Sequence, residues 1–257
     1  MGVLEQFSLK GKVALVTGGR TGLGRAFAVG LAEAGADVAC FSRGSSKETV
    51  DDVEKAGRKG ISIRGDVSEE KDVRSAVERT VSELGGLDIL VNNAGMAHQP
   101  NPVHLLSVED WDKVVSVNLR GVFLFCKEAL KVMTVNKKGK IINVASIWGL
   151  VGSASIIPVP AYNATKAAIV NLTRELALEY ADAGITANCL APAFFRSGLG
   201  DGAYDDPQFV RMAEASIPLG KIGDADDLNG TIVYMASQAS DYMTGHTLVV
   251  DMGYTAV

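Results

Sequence analysis

Seven short apolar runs recur along the chain, separated by longer segments, several with apolar positions at helical spacing. The runs are KVALVT from Lys12, DVACFS from Asp37, ISIRG from Ile61, DILVNN from Asp88, KIINVAS from Lys140, ITANCLA from Ile185 and HTLVVD from His246. Their apolar residues are consecutive rather than alternating. That predicts strands buried on both faces, and so a parallel sheet covered by helices. Segments such as GRAFAVGLAEAG and KDVRSAVERTVSELG carry the helical period, and Gly35, Gly60, Gly85 and Gly184 stand where helix ends are expected. The alternation runs from end to end without a linker or repeat. It predicts one doubly wound α/β domain of the Rossmann type over residues 1–257, with ligands at the carboxyl ends of the strands. One stretch breaks the pattern. FFRSGLGDGAYDDPQ, Phe194 to Gln208, holds three glycines and a proline and reads as a mobile loop over the substrate, placed at about 194–216.

The bulk numbers narrow the classes. The chain has 257 residues, 47% hydrophobic and 21% charged, with a net charge of −5, and lacks the basic stripe of a nucleic-acid binder. No apolar run reaches the roughly 18 residues of a membrane span. The N-terminus does not resemble a signal peptide, and Cys40, Cys126 and Cys189 are far apart and odd in number, which points to a reducing cytoplasm. No metal is expected, because His98, His104 and His246 show no ligand spacing with those cysteines.

VALVTGGRTGLGRAFA places Gly18, Gly19, Gly22 and Gly24 between the first strand and the first helix. Glycines there allow a tight turn and close approach to a pyrophosphate, which the helix N-terminus then binds. Arg20, Thr21 and Leu23 lie between those glycines and complete the expected cofactor segment. At the end of the second strand, Ser42 stands where an acidic residue would bond the ribose hydroxyls of NAD(H), and Arg43 follows. A guanidinium at that point suits a ribose phosphate, so NADP(H) is favoured over NAD(H). The alternative is a solvated loop arginine.

PAYNATKAA sets Tyr162 and Lys166 one helical turn apart. On its own this pair also fits an ordinary surface helix with a snorkelling lysine. With TGGRTGLG, with NNAG at Asn92–Gly95 and with NVAS ending at Ser146, in that order, the chain resembles the short-chain dehydrogenases/reductases over Leu9 to Gly253. FSLKGKVALVTGG and ASQASDYMTGHTLVVDMG are similar to the sugar and polyol branch, which handles gluconate, sorbose and mannitol-type substrates. The resemblance implies a catalytic set of Asn118, Ser146, Tyr162 and Lys166. It implies cofactor contacts from Asp66 with its neighbour Val67, from Asn92, Ala94 and Gly95, and from Pro192, Phe195 and Ser197. Tyr162 and Lys166 also hold the cofactor, and Ser146, Trp148 and Tyr162 meet the substrate. A homotetramer is implied too. The chain departs from the family at Ala193 and Met252, where glycine is usual, and in the long Ser146–Tyr162 interval of 16 residues.

The chemistry explains why these residue types go together. Carbonyl reduction needs a hydride on carbon and a proton on oxygen. A phenol of ordinary pKa about 10 exchanges protons at neutral pH only if its anion is stabilised, and a neighbouring ammonium does this. The expected activity is therefore an NADP(H)-dependent exchange of carbonyl and secondary alcohol on a sugar, polyol or sugar acid. Two alternatives stay open: a 3-oxoacyl carrier-protein reductase, and a dinucleotide-binding regulator without turnover. Trp111 is expected to pack its helix, His98 to be a loop residue near the cleft, and Arg196 to meet either an anionic substrate or solvent.

Overall fold

A computed structural model describes residues 2–198 and 202–256. Its centre is a seven-stranded sheet in the order 3-2-1-4-5-6-7, parallel throughout. The strands are β1 (Val13–Thr17), β2 (Asp37–Ser42), β3 (Gly60–Arg64), β4 (Ile89–Asn92), β5 (Gly139–Val144), β6 (Ile185–Pro192) and β7 (Thr247–Val250). Each coincides with one of the apolar runs within a residue or two. Every position of β1 and β4 is buried, as a strand covered on both faces requires.

The helices are α1 (Gly22–Glu33), α2 (Lys47–Lys55), α3 (Glu70–Leu84), α4 (Val108–Val115), α5 (Gly121–Asn136), α6 (Pro160–Glu179), α7 (Pro207–Ala215) and α8 (Asn229–Ala236). They divide into two layers. One core joins α3, α5 and α6 to the sheet through residues such as Val73, Phe125 and Ile169. The other joins α1 and α8 through Phe27, Leu31 and Ile232. No helix among the described residues is long and apolar enough to cross a membrane.

Two features differ from the sequence expectation. Gly60 is the first residue of β3 rather than a helix cap; the left-handed glycine after α2 is Gly57, at φ +77°. The 194–216 segment is not irregular throughout. Phe194 and Phe195 are buried, Phe195 bridges to Gly223, and α7 begins at Pro207. Leu199, Gly200 and Asp201, which the expected loop includes, lie outside the described residues. Met252 takes φ +53°, a left-handed backbone that disfavours a side chain. Its side chain packs against both the α1–α8 core and a smaller cluster around Phe194.

A polar chain crosses the core between β4, β5 and the helices. Asn92 donates to Asn143 (2.9 Å) and to Cys126 Sγ (3.3 Å), and Asn143 donates to Thr173 (3.0 Å). All four side chains are buried.

Candidate active site

The sheet order reverses between β1 and β4, and the loops that leave these strands part there. A cavity of about 1010 Å³ opens at this point, along the carboxyl ends of β1, β2, β4, β5 and β6. Its floor is the glycine turn. Gly18 and Gly22 take left-handed φ of +68° and +55°. A Cβ on Gly24 would lie 2.2 Å from the Gly18 carbonyl oxygen, and one on Gly18 would lie 2.8 Å from Asn93 Nδ2. No side chain fits at either position. Thr21 caps α1 without a side-chain bond to the helix, so the first amides of α1 are not occupied by their own cap. A floor of bare backbone under a helix N-terminus fits the pyrophosphate of a dinucleotide.

Arg20 and Arg43 stand at one end of the cavity with Ser42, Asp66 and Val67. Ser42 is occupied within its own loop, donating to Gly44 O (2.7 Å) and bonding Ser46 Oγ (2.8 Å). Burial pushes the Asp66 carboxyl up, but bonds from the Ser68 amide and hydroxyl and the Arg43 charge together hold it below its usual range. The Arg20 side chain packs over Gly44, so both guanidinium groups lie at the edge where a second ribose phosphate would sit.

The other end holds Ser146, Tyr162, Lys166, Pro192, Ala193, Phe195 and Tyr204. Tyr162 and Lys166 are carried on the first turns of α6, which starts with Pro160 at a position where a missing N–H is harmless. Lys166 Nζ donates to Val144 O (2.7 Å) and lies 5.5 Å from the Tyr162 ring centroid. Ser146, just past β5, accepts from the Trp148 amide (3.2 Å). Burial raises the Tyr162 phenol to about 12, with the Ser146 hydroxyl pulling the other way, and lowers the Lys166 ammonium to about 8. The expected acidification of the phenol is therefore not a property of the protein alone. Desolvation outweighs the Ser146 hydrogen bond.

Asn118 sits in a π-helical turn, Ser116–Arg120, between α4 and α5. The wider turn directs its amide inward, where Oδ1 accepts from Met96 N (2.8 Å) and Nδ2 donates to Met96 O (2.9 Å) and to Thr165 (3.2 Å). It thus ties the loop after β4 to α6 just ahead of Lys166. A Cβ on Gly95 would touch Asn118 Oδ1 at 3.4 Å and Lys166 Nζ at 3.5 Å, so that glycine leaves the space between the two groups open.

Most of the sequence-predicted residues line this one cavity, including Gly18, Gly22, Leu23, Ala94, Gly95 and Ser197. Four do not. Gly24 and Asn118 support the wall from behind, Asn92 belongs to the core chain of amides, and Trp148 stands behind Tyr162, edge-on at 6.3 Å between ring centroids. Arg196 is drawn to Asp224 (3.4 Å), and His98 is buried with Nδ1 on Gln99 O (2.7 Å). The residues that sequence reasoning missed are Asn93 and Tyr204. Asn93 bonds Thr17 O (3.0 Å), while Thr17 Oγ1 accepts from the Asn93 and Ala94 amides (3.0 Å each), and these bonds fasten the β4 loop to the glycine turn. NNAG contains the signal for Asn93. No motif marks Tyr204.

The site agrees with what the chain is similar to. Residues 18–255 match the family model described as Enoyl-(Acyl carrier protein) reductase. The chain is 39% identical over 255 residues to the 2-dehydro-3-deoxy-D-gluconate 5-dehydrogenase of Dickeya dadantii (strain 3937), with 99% of each covered. A short-chain type dehydrogenase/reductase from Mycobacterium marinum has the same fold at a TM-score of 0.95 and 37% identity, over 100% of both chains. A gluconate 5-dehydrogenase from Burkholderia cenocepacia J2315, solved in complex with NADP and tartrate, matches at a TM-score of 0.92 and 35% identity, again over 100% of both.

Proposed function

The chain belongs to the short-chain dehydrogenase/reductase family, and from its site we propose that it uses NADPH to reduce a carbonyl on a sugar acid or related polyol to a secondary alcohol, and can run the reaction in reverse. The observation that carries this reading is the Ser146–Tyr162–Lys166 group on the wall of a cavity with a glycine floor. A bound reduced nicotinamide supplies the hydride.

The chain's own residues do the rest. The hydroxyls of Ser146 and Tyr162 bond the substrate oxygen, and Ser146 steadies the negative charge that grows on it. Tyr162 donates its proton to that oxygen. With a phenol raised to about 12, the proton is in place throughout the neutral range, which is the form reduction needs. Lys166 is charged at neutral pH, with its ammonium lowered only to about 8, and stabilises the phenolate left behind. Reprotonation runs past Lys166 toward Asn118 through the opening that Gly95 leaves. In the oxidative direction the phenol must first give up its proton, so alcohol oxidation is favoured by alkaline conditions.

Arg43 and Arg20 support the choice of NADPH, since no carboxylate stands at the Ser42 position to repel a phosphate dianion. The 2-dehydro-3-deoxy-D-gluconate and gluconate relatives support a sugar-acid substrate. The test follows nicotinamide absorbance with NADPH and NADH over a panel of keto-sugar acids and ketoses. Reduction of at least one keto-acid, faster with NADPH, is expected. Tight NADPH binding without turnover of any carbonyl would refute the reading.

A further inference from the structure

Tyr204, from the short turn Ala203–Asp205, lines the same cavity as the catalytic phenol. Its ring is not a loose surface side chain. It packs edge-on against Phe209 of α7 (5.5 Å between centroids), Phe209 packs on Phe194 (6.3 Å), and Phe194 packs on Trp148 (5.8 Å), which stands against Tyr162. Its backbone is held as well, since the Tyr204 carbonyl accepts from Arg196 (3.3 Å). Three aromatic rings, Phe209, Phe194 and Trp148, therefore link the two phenols. Tyr204 lies within electrostatic reach of Tyr162, and both line the cavity together with Ser146 and Phe195. A phenol has one hydrogen to give and two lone pairs.

We propose that Tyr204 is a substrate-positioning residue whose hydroxyl donates to an oxygen on the carbon next to the reacting carbonyl, so that the site selects α-oxygenated ketones over plain ones. This rests on the carbonyl-reductase reading above and deepens it. Ser146 and Tyr162 fix the carbonyl oxygen, and a third donor in the same cavity fixes the rotation of the substrate about that carbonyl, which decides the face presented for reduction. Ala193 and Phe195, which line this end, bring no polar side-chain group, so a single donor there carries weight in selection.

The test compares 2-hydroxycyclohexanone with cyclohexanone, using NADPH, in the wild type and in Tyr204→Phe. Phenylalanine keeps the ring contact with Phe209 and removes only the hydroxyl. NADPH titration by fluorescence checks that the variant is folded and loads its cofactor. The wild type should prefer the hydroxyketone. In Tyr204→Phe that preference should shrink by roughly three- to tenfold, the value of one neutral hydrogen bond, mostly through a higher KM. Parallel losses on both ketones, or no preference in the wild type, would overturn the role. If the wild type reduces neither cyclohexanone but does reduce a keto-sugar acid, the role of Tyr204 is overturned while the activity reading stands; if it binds NADPH and reduces no carbonyl of either set, the activity reading itself fails and the role falls with it. Tyr162→Phe separates the two levels, because it should abolish turnover of both ketones alike.

Discussion

Lys166 is an ammonium with 3% of its surface exposed, and its burial has a consequence for stability that can be measured. Desolvation lowers its pKa from 10.5 to about 8. The difference corresponds to roughly 3 kcal/mol of cost for burying the charged form. Below pH 8 the lysine is charged in both the folded and the unfolded chain, and the full cost applies. Between about pH 8 and 10.5 the folded chain sheds the proton while the unfolded chain keeps it. The unfolded state then binds more protons, so stability rises with pH across this window. Above it both forms are neutral and the cost is gone. Lys166→Met removes the titrating group. It also removes the bond to Val144 O, a loss of about 1–3 kcal/mol that offsets much of the gain at neutral pH. The variant should therefore be inactive yet about as stable as the wild type, or slightly more stable, at pH 7. Any advantage should shrink and then reverse by about 3 kcal/mol on going to pH 10.5. Urea denaturation of both proteins at pH 7, 8, 9 and 10.5 reads this directly, because all other titrating groups are shared. A stability difference that stays constant over the four pH values would refute the argument.

Other outcomes follow from the same geometry. Tyr162→Phe should lower kcat by about 10²- to 10⁴-fold with NADPH affinity retained, measured by steady-state kinetics beside a binding titration. Gly24→Ala would force a Cβ to 2.2 Å from the Gly18 carbonyl; the variant should lose detectable dinucleotide binding or fail to accumulate as folded protein, and tight NADPH binding would count against the assigned floor. Arg43→Ala should raise the Kd for NADPH by roughly tenfold, the loss of one charge-assisted contact, and change the Kd for NADH far less. Equal effects on the two dinucleotides would reduce Arg43 to a solvated surface charge.

Much of this was legible in the sequence, for identifiable reasons. The strands of a sheet covered on both sides have no polar face, so their apolar runs stand out from the amphipathic helices. The glycine turn was legible because its place between β1 and α1 narrows its meaning. Tyr162 and Lys166 were legible from their one-turn spacing together with a strand ending at Ser146. Properties set by returns of the chain in space were not legible. Gly60 reads as a cap in the sequence because the true cap, Gly57, lies only three residues before it. The raised Tyr162 phenol depends on how completely α6, Trp148 and Tyr204 enclose it, which no motif records. Tyr204 itself sits in a segment whose composition suggests only a loop, and its meaning comes from Phe194 and Phe209 behind it.

The chain of amides from Cys126 through Asn92 and Asn143 to Thr173 has a consequence for how the sheet assembles. In the native alignment, Asn92 lies directly opposite Asn143 on the neighbouring strand. Apolar runs as uniform as ILVN and KIINV tolerate sliding, since valine matches isoleucine almost as well one step away. Sliding by a single residue would part the two amides and strand each of them among hydrocarbon, at about 1–3 kcal/mol apiece. The polar pair therefore acts as an alignment pin, holding β4 and β5 in the one registration that also brings the loop after Asn92 and the hydroxyl of Ser146 to opposite lips of the same cleft.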